Sequence, residues 1–217
     1  MRYVICSGGQ LGDWALAELR EGDVLVGADR GALFLVDRGF SPDMALGDFD
    51  SVSAGELMRI RTGSRRFEAC DPIAKDWTDT EMALRWVLAQ QDPKPDEVVL
   101  LGVLGSRWDH SLANIHLLRV LLEAGVRGRI VDETNELHLV DGSMPLTLAR
   151  TRHTYVSLLP LSLEVTGITL NGFQYPLLDA TLTIGQSLGI SNVLLEQTGT
   201  IRLRDGLLLA IQSMDYP

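Results

Sequence analysis

Between residue 1 and about residue 130, a short apolar run followed by a loop and then a helix-like stretch recurs five times. "RYVIC" leads through a glycine loop to "LGDWALAELR", "DVLVGAD" to "RGALFLVDRG", and "MALG" through "GDFDS" to "AGELMRIR". "RRFEAC" leads to "DPIAKDWTDTEMALRWVLAQQ", and "EVVLLGVLG" to "SRWDHSLANIHLLRVLLEAG". Runs that are apolar throughout, rather than at every second position, are strands buried on both faces. Strands that alternate with helices build a parallel sheet covered on both sides. The loops that follow such strands all open on one edge, and ligands collect there, near the point where strand order reverses.

Past about Gly128 the rhythm changes to short β-rich pieces separated by Gly, Asn, Asp or Pro: "RIVDETNELHLV", "PLTLAR", "TYVSLLPL", "LEVTGITL", "ATLTIG", "NVLLEQ" and "TIRLRDGLLLAIQS". No long helical stripe interrupts them, so an antiparallel sandwich is expected. In "RLRDGLLL", Asp205-Gly206 between two apolar runs predicts a type I′ hairpin. The expected organisation is an N-terminal Rossmann-like parallel-sheet α/β domain over residues 1–130 and a smaller antiparallel β-sandwich domain over residues 131–217.

Composition narrows the classes of partner. With 46% hydrophobic and 22% charged residues the chain reads as a globular protein, and no apolar run approaches the ~20 residues that span a bilayer. "MRYVICSGG" has too short an apolar run for a signal peptide, so a cytoplasmic protein is expected. A net charge of −10 argues against binding nucleic acid or an anionic membrane, both of which need basic surface. Cys6 and Cys70 have neither metal-site spacing nor the density of a disulfide framework, and read as buried thiols.

Acidic residues follow one predicted strand after another. Asp29 ends the second, Asp48 and Asp50 follow the third, Asp76 and Asp79 the fourth, and Asp109 the fifth. Singly, any of them reads as a turn residue or helix cap, with Thr78 or Asp79 well suited to that role. Together on one edge of a parallel sheet they would repel, and uncompensated carboxylates in one cleft destabilise a fold. Mg²⁺ resolves the conflict, because it takes carboxylate oxygens and shares them with substrate phosphates. Arg30, Lys75 and Arg107 stand in the same loops, placed to hold phosphate oxygens that the metal leaves open. The loop "CSGGQLGD" nearly matches a dinucleotide fingerprint through Gly9, Gly12 and Asp29, but Ser7 stands where the first glycine belongs. No Walker A sequence is present.

"GDFDS", "KDWTDTE", "GSRWDHSLANIHLL" and the late "QYPL…GISN" resemble, in this order, the signature segments of the thiamin pyrophosphokinase family. The resemblance runs from Cys6 to about Gly206 and implies transfer of pyrophosphate from ATP to the hydroxyl of thiamine. It also implies a homodimer whose active sites are shared between subunits, with an ATP- and Mg²⁺-binding catalytic domain followed by a β-domain that binds thiamine. Carried over by position, Asp48, Asp50, Asp76 and Asp79 look like the metal- and phosphate-handling acids. Ser106, Arg107, Asp109, His110 and Asn114 look like the nucleotide-side loop and helix start. Tyr175, Ser191 and Asn192 look like the thiamine-binding part of the β-domain. The chain departs from the pattern at Arg30, where the family commonly has Gly, at Ser106, which replaces the second Gly of Gly-Gly-Arg, and at Gln174, where Lys is frequent.

In such a transfer the protein mainly positions the groups and neutralises charge. Arg107 offers a planar fork to two phosphate oxygens, which a lysine does not copy. His110 and Asn114, four residues apart, face the same side of one helix. Trp77 and Trp108 read equally as packing wedges and as stacking partners for a base. Tyr175 reads as a β-edge residue or as a face for a cationic ring. Two other readings remain: a dinucleotide-dependent oxidoreductase built on the Ser7–Gly12 loop, which leaves GDFDS and KDWTDTE without a purpose, and a non-catalytic nucleotide or thiamine sensor.

Overall fold

A computed structural model describes residues 1–70 and 76–215. The chain divides into two compact units, Met1–Glu133 and Thr134–Pro217. In the first, the elements run β1 (Arg2–Cys6), α1 (Asp13–Leu16), β2 (Val24–Ala28), α2 (Arg30–Asp37), β3 (Met44–Gly47), α3 (Ala54–Gly63), β4 (Phe67–Ala69), α4 (Asp79–Leu88), β5 (Glu97–Leu101), α5 (Trp108–Glu123) and β6 (Arg127–Val131). The strands lie in the order β4-β3-β2-β1-β5-β6, and every pair is parallel. β1 and β5 are buried at every position but the first, as strands with helices on both faces must be. The chain winds outward from β1 to β4 and then crosses back to place β5 on the other side of β1. Strand order therefore reverses between β1 and β5.

Local chemistry sets the helix starts. Ser53 and Glu56 form a reciprocal capping box at α3, with the Ser53 amide donating to Glu56 Oε2 at 2.7 Å. Thr78 caps α4 by accepting from the Glu81 amide at 3.2 Å. α1 is a single turn without a side-chain cap, far shorter than the helix-like stretch "LGDWALAELR" suggests. Across β1, β5 and β6, Arg2 pairs with Asp23 at 2.6 Å, and Arg129 pairs with Glu18 and Glu97 at 3.0 and 3.2 Å. These partly buried pairs tie β1 and β6 to the segment between α1 and β2, and β6 to β5.

The second unit holds β7 (Asn135–Val140), β8 (Leu146–Ala149), β9 (Tyr155–Pro160), β10 (Glu164–Asn171), β11 (Ala180–Thr183), β12 (Thr198–Arg202) and β13 (Leu208–Ser213). β13 runs antiparallel between β7 and β9, while a second antiparallel sheet has the order β11-β10-β12-β8. Alternate residues of both sheets, among them Val156, Leu158, Ile168, Leu182, Ile201 and Ala210, meet in one core, which makes this unit a β-sandwich. Gln212 is buried, and its amide donates to the Ala149 carbonyl at 3.1 Å, satisfying a polar group within that core.

The hairpin expected at Asp205-Gly206 does not form. β12 pairs with β8 and β10 whereas β13 pairs with β7 and β9, so the two apolar runs belong to different sheets. Asp205 instead bridges to Thr166 of β10, its carbonyl accepting from the Thr166 amide at 3.0 Å, and Gly206 at φ +102° turns the chain to the other sheet. The Asp-Gly signal marks a tight change of direction. Which strand comes next beside it is decided by the core.

Candidate active site

The loops after β1, β2 and β5 and the start of α4 enclose a pocket of about 320 Å³ at the strand-order reversal. Its floor depends on close backbone contact. The Gly9 amide donates to the Gly102 carbonyl at 2.7 Å, and a Cβ on Gly9 would stand 2.4 Å from that same oxygen. Gly102 itself has φ +66°, a conformation that glycine adopts without the usual steric cost. Ser7 is buried, and its Oγ shares a hydrogen bond of 2.9 Å with Thr80 Oγ1, which fixes α4 to the end of β1. These glycines are a meeting of two loops, and Ser7 is a bolt between elements. Neither they nor the single-turn α1 make the dinucleotide arrangement.

Asp29 is the acid most altered by its surroundings. It sits at φ +49° after β2, and its Oδ2 accepts from Ser51 Oγ at 2.5 Å. Its Oδ1 is buried and has no hydrogen-bond partner. Burial raises its pKa; the Ser51 hydroxyl and the Arg30 amide pull it back down, and the charges of Asp79 and Asp48 push it up again. The sequence offers Asp29 as one of the row of acids and as the acid of the near-dinucleotide loop, but not among the metal-handling residues. Its signal would have been the Asp immediately after a buried strand at the reversal point.

The Gly47–Ser51 segment turns sharply. Gly47 has φ +147° and Phe49 φ +54°, the latter a conformation that costs a side-chain-bearing residue roughly 1–2 kcal/mol. The Phe49 ring is buried and stacks on Phe67 with centroids 5.0 Å apart, so packing holds the turn in place. The inversion at Phe49 separates Asp48 from Asp50, and the Asp50 amide donates to Asp48 Oδ1 at 3.3 Å. A Cβ on Gly47 would stand 3.3 Å from Asp79 Oδ1, so the missing side chain leaves room for that carboxylate over the end of β3.

The structure thus brings Asp48 and Asp79 close enough to act on Asp29, with Asp29 and Asp79 lining the pocket and Asp48 outside its lining. Asp50 and Asp76 are exposed and outside the lining, and Lys75 lies outside the described residues. With Thr78 taking the cap, Asp79 is left to face the pocket. Among the described residues no three acidic, histidine or cysteine side chains are already drawn together as metal ligands.

On the far side, Ser106, Arg107, His110 and Asn114 line the pocket. Arg107 forks onto Asp109, with Nη2 2.6 Å from Oδ2 and Nε 3.3 Å from Oδ1. The hydrogen bonds from Arg107 first, then the His110 amide and the Arg107 charge, hold the exposed Asp109 carboxyl below the ordinary range. Asn114 is buried, and its Nδ2 donates to the Val103 carbonyl at 2.7 Å, which shapes the loop that it also lines. Ser111, not singled out from the sequence, is buried and donates to the Arg107 carbonyl at 3.1 Å. Its position in register with Arg107 and Asn114 on α5 was the available signal. Trp77 is half exposed with the Arg85 guanidinium 4.5 Å over its ring, and Trp108 is exposed and outside the pocket lining.

In the β-sandwich, Tyr175 and Asn192 are brought together by backbone–side-chain bonds. The Tyr175 amide donates to Asn192 Oδ1 at 3.0 Å, and Asn192 Nδ2 donates to the Tyr175 carbonyl at 2.7 Å. Asn192 is buried by this clamp, while the Tyr175 ring is exposed. Ser191 beside it is exposed at φ +59°, its amide donating to Ser157 Oγ at 3.1 Å.

A parallel α/β sheet with a glycine-floored pocket at the reversal of strand order, carboxylates on one wall and an arginine on the other, defines a phosphate-handling α/β enzyme class, here followed in the chain by a β-sandwich unit. Comparison with known proteins is specific. Residues 16–127 match the model of the thiamin pyrophosphokinase catalytic domain, and residues 145–208 match that of the thiamin pyrophosphokinase vitamin B1 binding domain. The thiamine pyrophosphokinase of Bacillus subtilis (strain 168) is 35% identical over 191 residues, 88% of this chain and 87% of the relative. The crystal structure of a Bacillus subtilis thiamine pyrophosphokinase superposes with a TM-score of 0.89 at 32% identity, covering all of both chains. That of the Geobacillus thermodenitrificans protein gives 0.86 at 33% identity, covering 99% of this chain and 98% of the other. The chain belongs to the thiamin pyrophosphokinase family. No helix among the described residues is long and apolar enough to cross a membrane.

Proposed function

We propose that the protein transfers the pyrophosphoryl group of ATP to the hydroxyl of thiamine, giving thiamine diphosphate and AMP. The hydroxyl oxygen bonds to the β-phosphorus, the bond between that phosphorus and the α–β bridging oxygen breaks, and the hydroxyl proton leaves for solvent or a carboxylate. The observation that carries the reading is the placing of Asp29 and Asp79 in the lining of the pocket at the reversal of strand order, with Asp48 near enough to act on Asp29, in a chain whose two units match the catalytic and vitamin-binding models of one family.

Mg²⁺ fits this site. The buried, unpartnered Oδ1 of Asp29 and the room that Gly47 leaves for Asp79 Oδ1 are hard oxygen donors beside an open pocket. Asp48 and Asp79, with Asp50 and Asp76 on the flanking loops, would hold the ion together with polyphosphate oxygens, in keeping with the few carboxylates that Mg²⁺ usually takes. When bound, it supplies positive charge to the phosphate oxygens in the transfer. Arg107 exchanges Asp109 for a phosphate, since the fork that fits one fits the other. Ser106, Asp109 and His110 meet the nucleotide, and Asn114 shapes the loop that receives it. The oxidoreductase reading leaves these acids unused, and a non-catalytic sensor could have lost them, whereas all are present.

In the β-sandwich unit, over residues 131–217, Tyr175 offers an aromatic face to the cationic thiazolium, Ser191 offers a hydroxyl, and Asn192 fixes the Tyr175 backbone. The catalytic unit over residues 1–130 then acts with this surface of a partner subunit, in a homodimer. Incubation with ATP, Mg²⁺ and thiamine should give AMP and thiamine diphosphate in equal amounts, and a chelator should stop both. AMP without thiamine diphosphate would refute the transfer. Mixing D48N and Y175A proteins under subunit exchange should restore activity in one site per mixed dimer; no recovery despite proven exchange would refute the shared site.

A further inference from the structure

The segment that carries Asp48 and Asp50 is anchored on the inside by the Phe49 ring against Phe67. On the outside it meets a side chain that the sequence pattern offers to phosphate oxygens but that stands outside the pocket lining. Arg30 is the first residue of α2, an eight-residue helix, at the end where the helix dipole disfavours a cation. Its stem lies against the loop after β1, where a Cβ on Gly8 would stand 3.4 Å from the Arg30 Cβ. Its head reaches the loop after β3, where Nη1 donates to the Ser51 carbonyl at 3.0 Å. Ser51 in turn donates from Oγ to Asp29 Oδ2. One side chain therefore spans the loops after β1 and β3, and the residue it grips is the one that holds Asp29.

We propose that Arg30 is a positioning residue: its hold on the Ser51 carbonyl is the outer anchor of the Asp48–Ser51 turn and sets where Asp48 and Asp50 stand relative to Asp29. The strained φ of Phe49 gives such an anchor a purpose, because the buried ring and the Ser51–Asp29 bond hold the turn from the inside while its exposed backbone at Ser51 is held from the outside by Arg30. A guanidinium suits the task, since its remaining donors stay available to solvent while one bond holds the carbonyl.

The kinetic part of the test rests on the pyrophosphoryl-transfer reading; the exchange part does not. Amide hydrogen exchange of peptides spanning residues 48–52 would be measured in the parent, R30A and R30K, together with kcat and KM for ATP and for thiamine. In R30A these amides should exchange about tenfold faster while peptides from β3 and α2 keep the parent's rates. Turnover should fall by a similar factor with the thiamine KM unchanged. R30K, which retains a donor for the carbonyl, should recover a large part of both. Unchanged exchange with a raised ATP KM would make Arg30 a phosphate contact and overturn the proposal. Faster exchange throughout Met1–Glu133 would reduce it to a general stabiliser and overturn it equally. A parent that forms no thiamine diphosphate would sink the transfer reading and leave the exchange result to decide the role of Arg30.

Discussion

Replacing Gly31 by alanine tests the idea that the pocket depends on how closely α2 is seated on β1. A Cβ at Gly31 would stand 1.9 Å from the Cys6 carbonyl oxygen, 2.3 Å from its carbon and 2.7 Å from the Ser7 nitrogen. All three are backbone atoms of a fully buried strand end, so no flexible side chain can swing aside. To restore ordinary van der Waals separation, α2 must withdraw from β1 by about 1.5 Å. Forcing extra volume into a packed core costs about 1–3 kcal/mol, and a clash wholly with backbone belongs at the upper end. For a chain of this size that corresponds to a fall of about 10 °C in the melting temperature of the Met1–Glu133 unit. The loss in turnover should be larger than stability alone explains. Asp29 precedes α2 and Ser7 follows Cys6, so a shift of an ångström between them misplaces two pocket walls and should cost about a hundredfold. Thermal unfolding and the production of AMP with thiamine diphosphate, measured below the variant's own transition, are the assays. The control is G55A in α3, where nothing lies within 4 Å of the added Cβ and helix propensity should raise stability by about 0.5 kcal/mol. If G31A melted with the parent and kept its turnover, the dependence of the pocket on this contact would be wrong.

D48N and D50N should each lower kcat by roughly a hundredfold or more while the protein stays folded, because charge is removed where the metal's several kcal/mol of stabilisation would act. Near-parent rates at limiting Mg²⁺ would return both residues to a turn role. Y175A should raise the thiamine KM much more than the ATP KM, and N192A should do the same while also loosening the Tyr175 backbone in exchange measurements. D29N should make the metal-free protein more stable near neutral pH and less active. The folded-state pKa of Asp29 is raised chiefly by burial, so the ionised form is disfavoured by folding, and the parent loses stability as pH rises through the interval from the unfolded to the folded value. The advantage of D29N in denaturant midpoint should therefore shrink as pH falls towards about 4, the ordinary aspartate value. An advantage that stayed constant with pH would contradict the assignment.

Much of the architecture follows from neighbours in sequence. The apolar runs at β1, β3 and β5, and the second half of β2, are buried because helices on both faces leave no polar side for them. Ser53 and Glu56 specify the start of α3 through bonds that span only three residues. A row of acids after successive strands locates the pocket edge, since parallel strands all point their ends one way. The Asp205-Gly206 hairpin failed for the complementary reason. A turn dipeptide fixes local backbone direction, whereas the partner of the next strand depends on which sheet has room to bury Leu208 and Ala210.

What the tertiary structure alone decided is which of the acids come together and what each is bonded to. From the sequence Asp29, Asp48, Asp50, Asp76 and Asp79 are equivalent; in the fold Asp48 and Asp79 both act on Asp29, and Asp29 and Asp79 line the pocket, while Asp50 and Asp76 stand exposed. The Arg30–Ser51–Asp29 chain, the Ser7–Thr80 bond and the close approach of Gly9 to Gly102 join residues that are tens of positions apart. Such contacts exist only once β1 has been placed between β2 and β5. That order is set by the burial of the whole sheet, a sum over many weak apolar contacts that no single stretch of sequence displays.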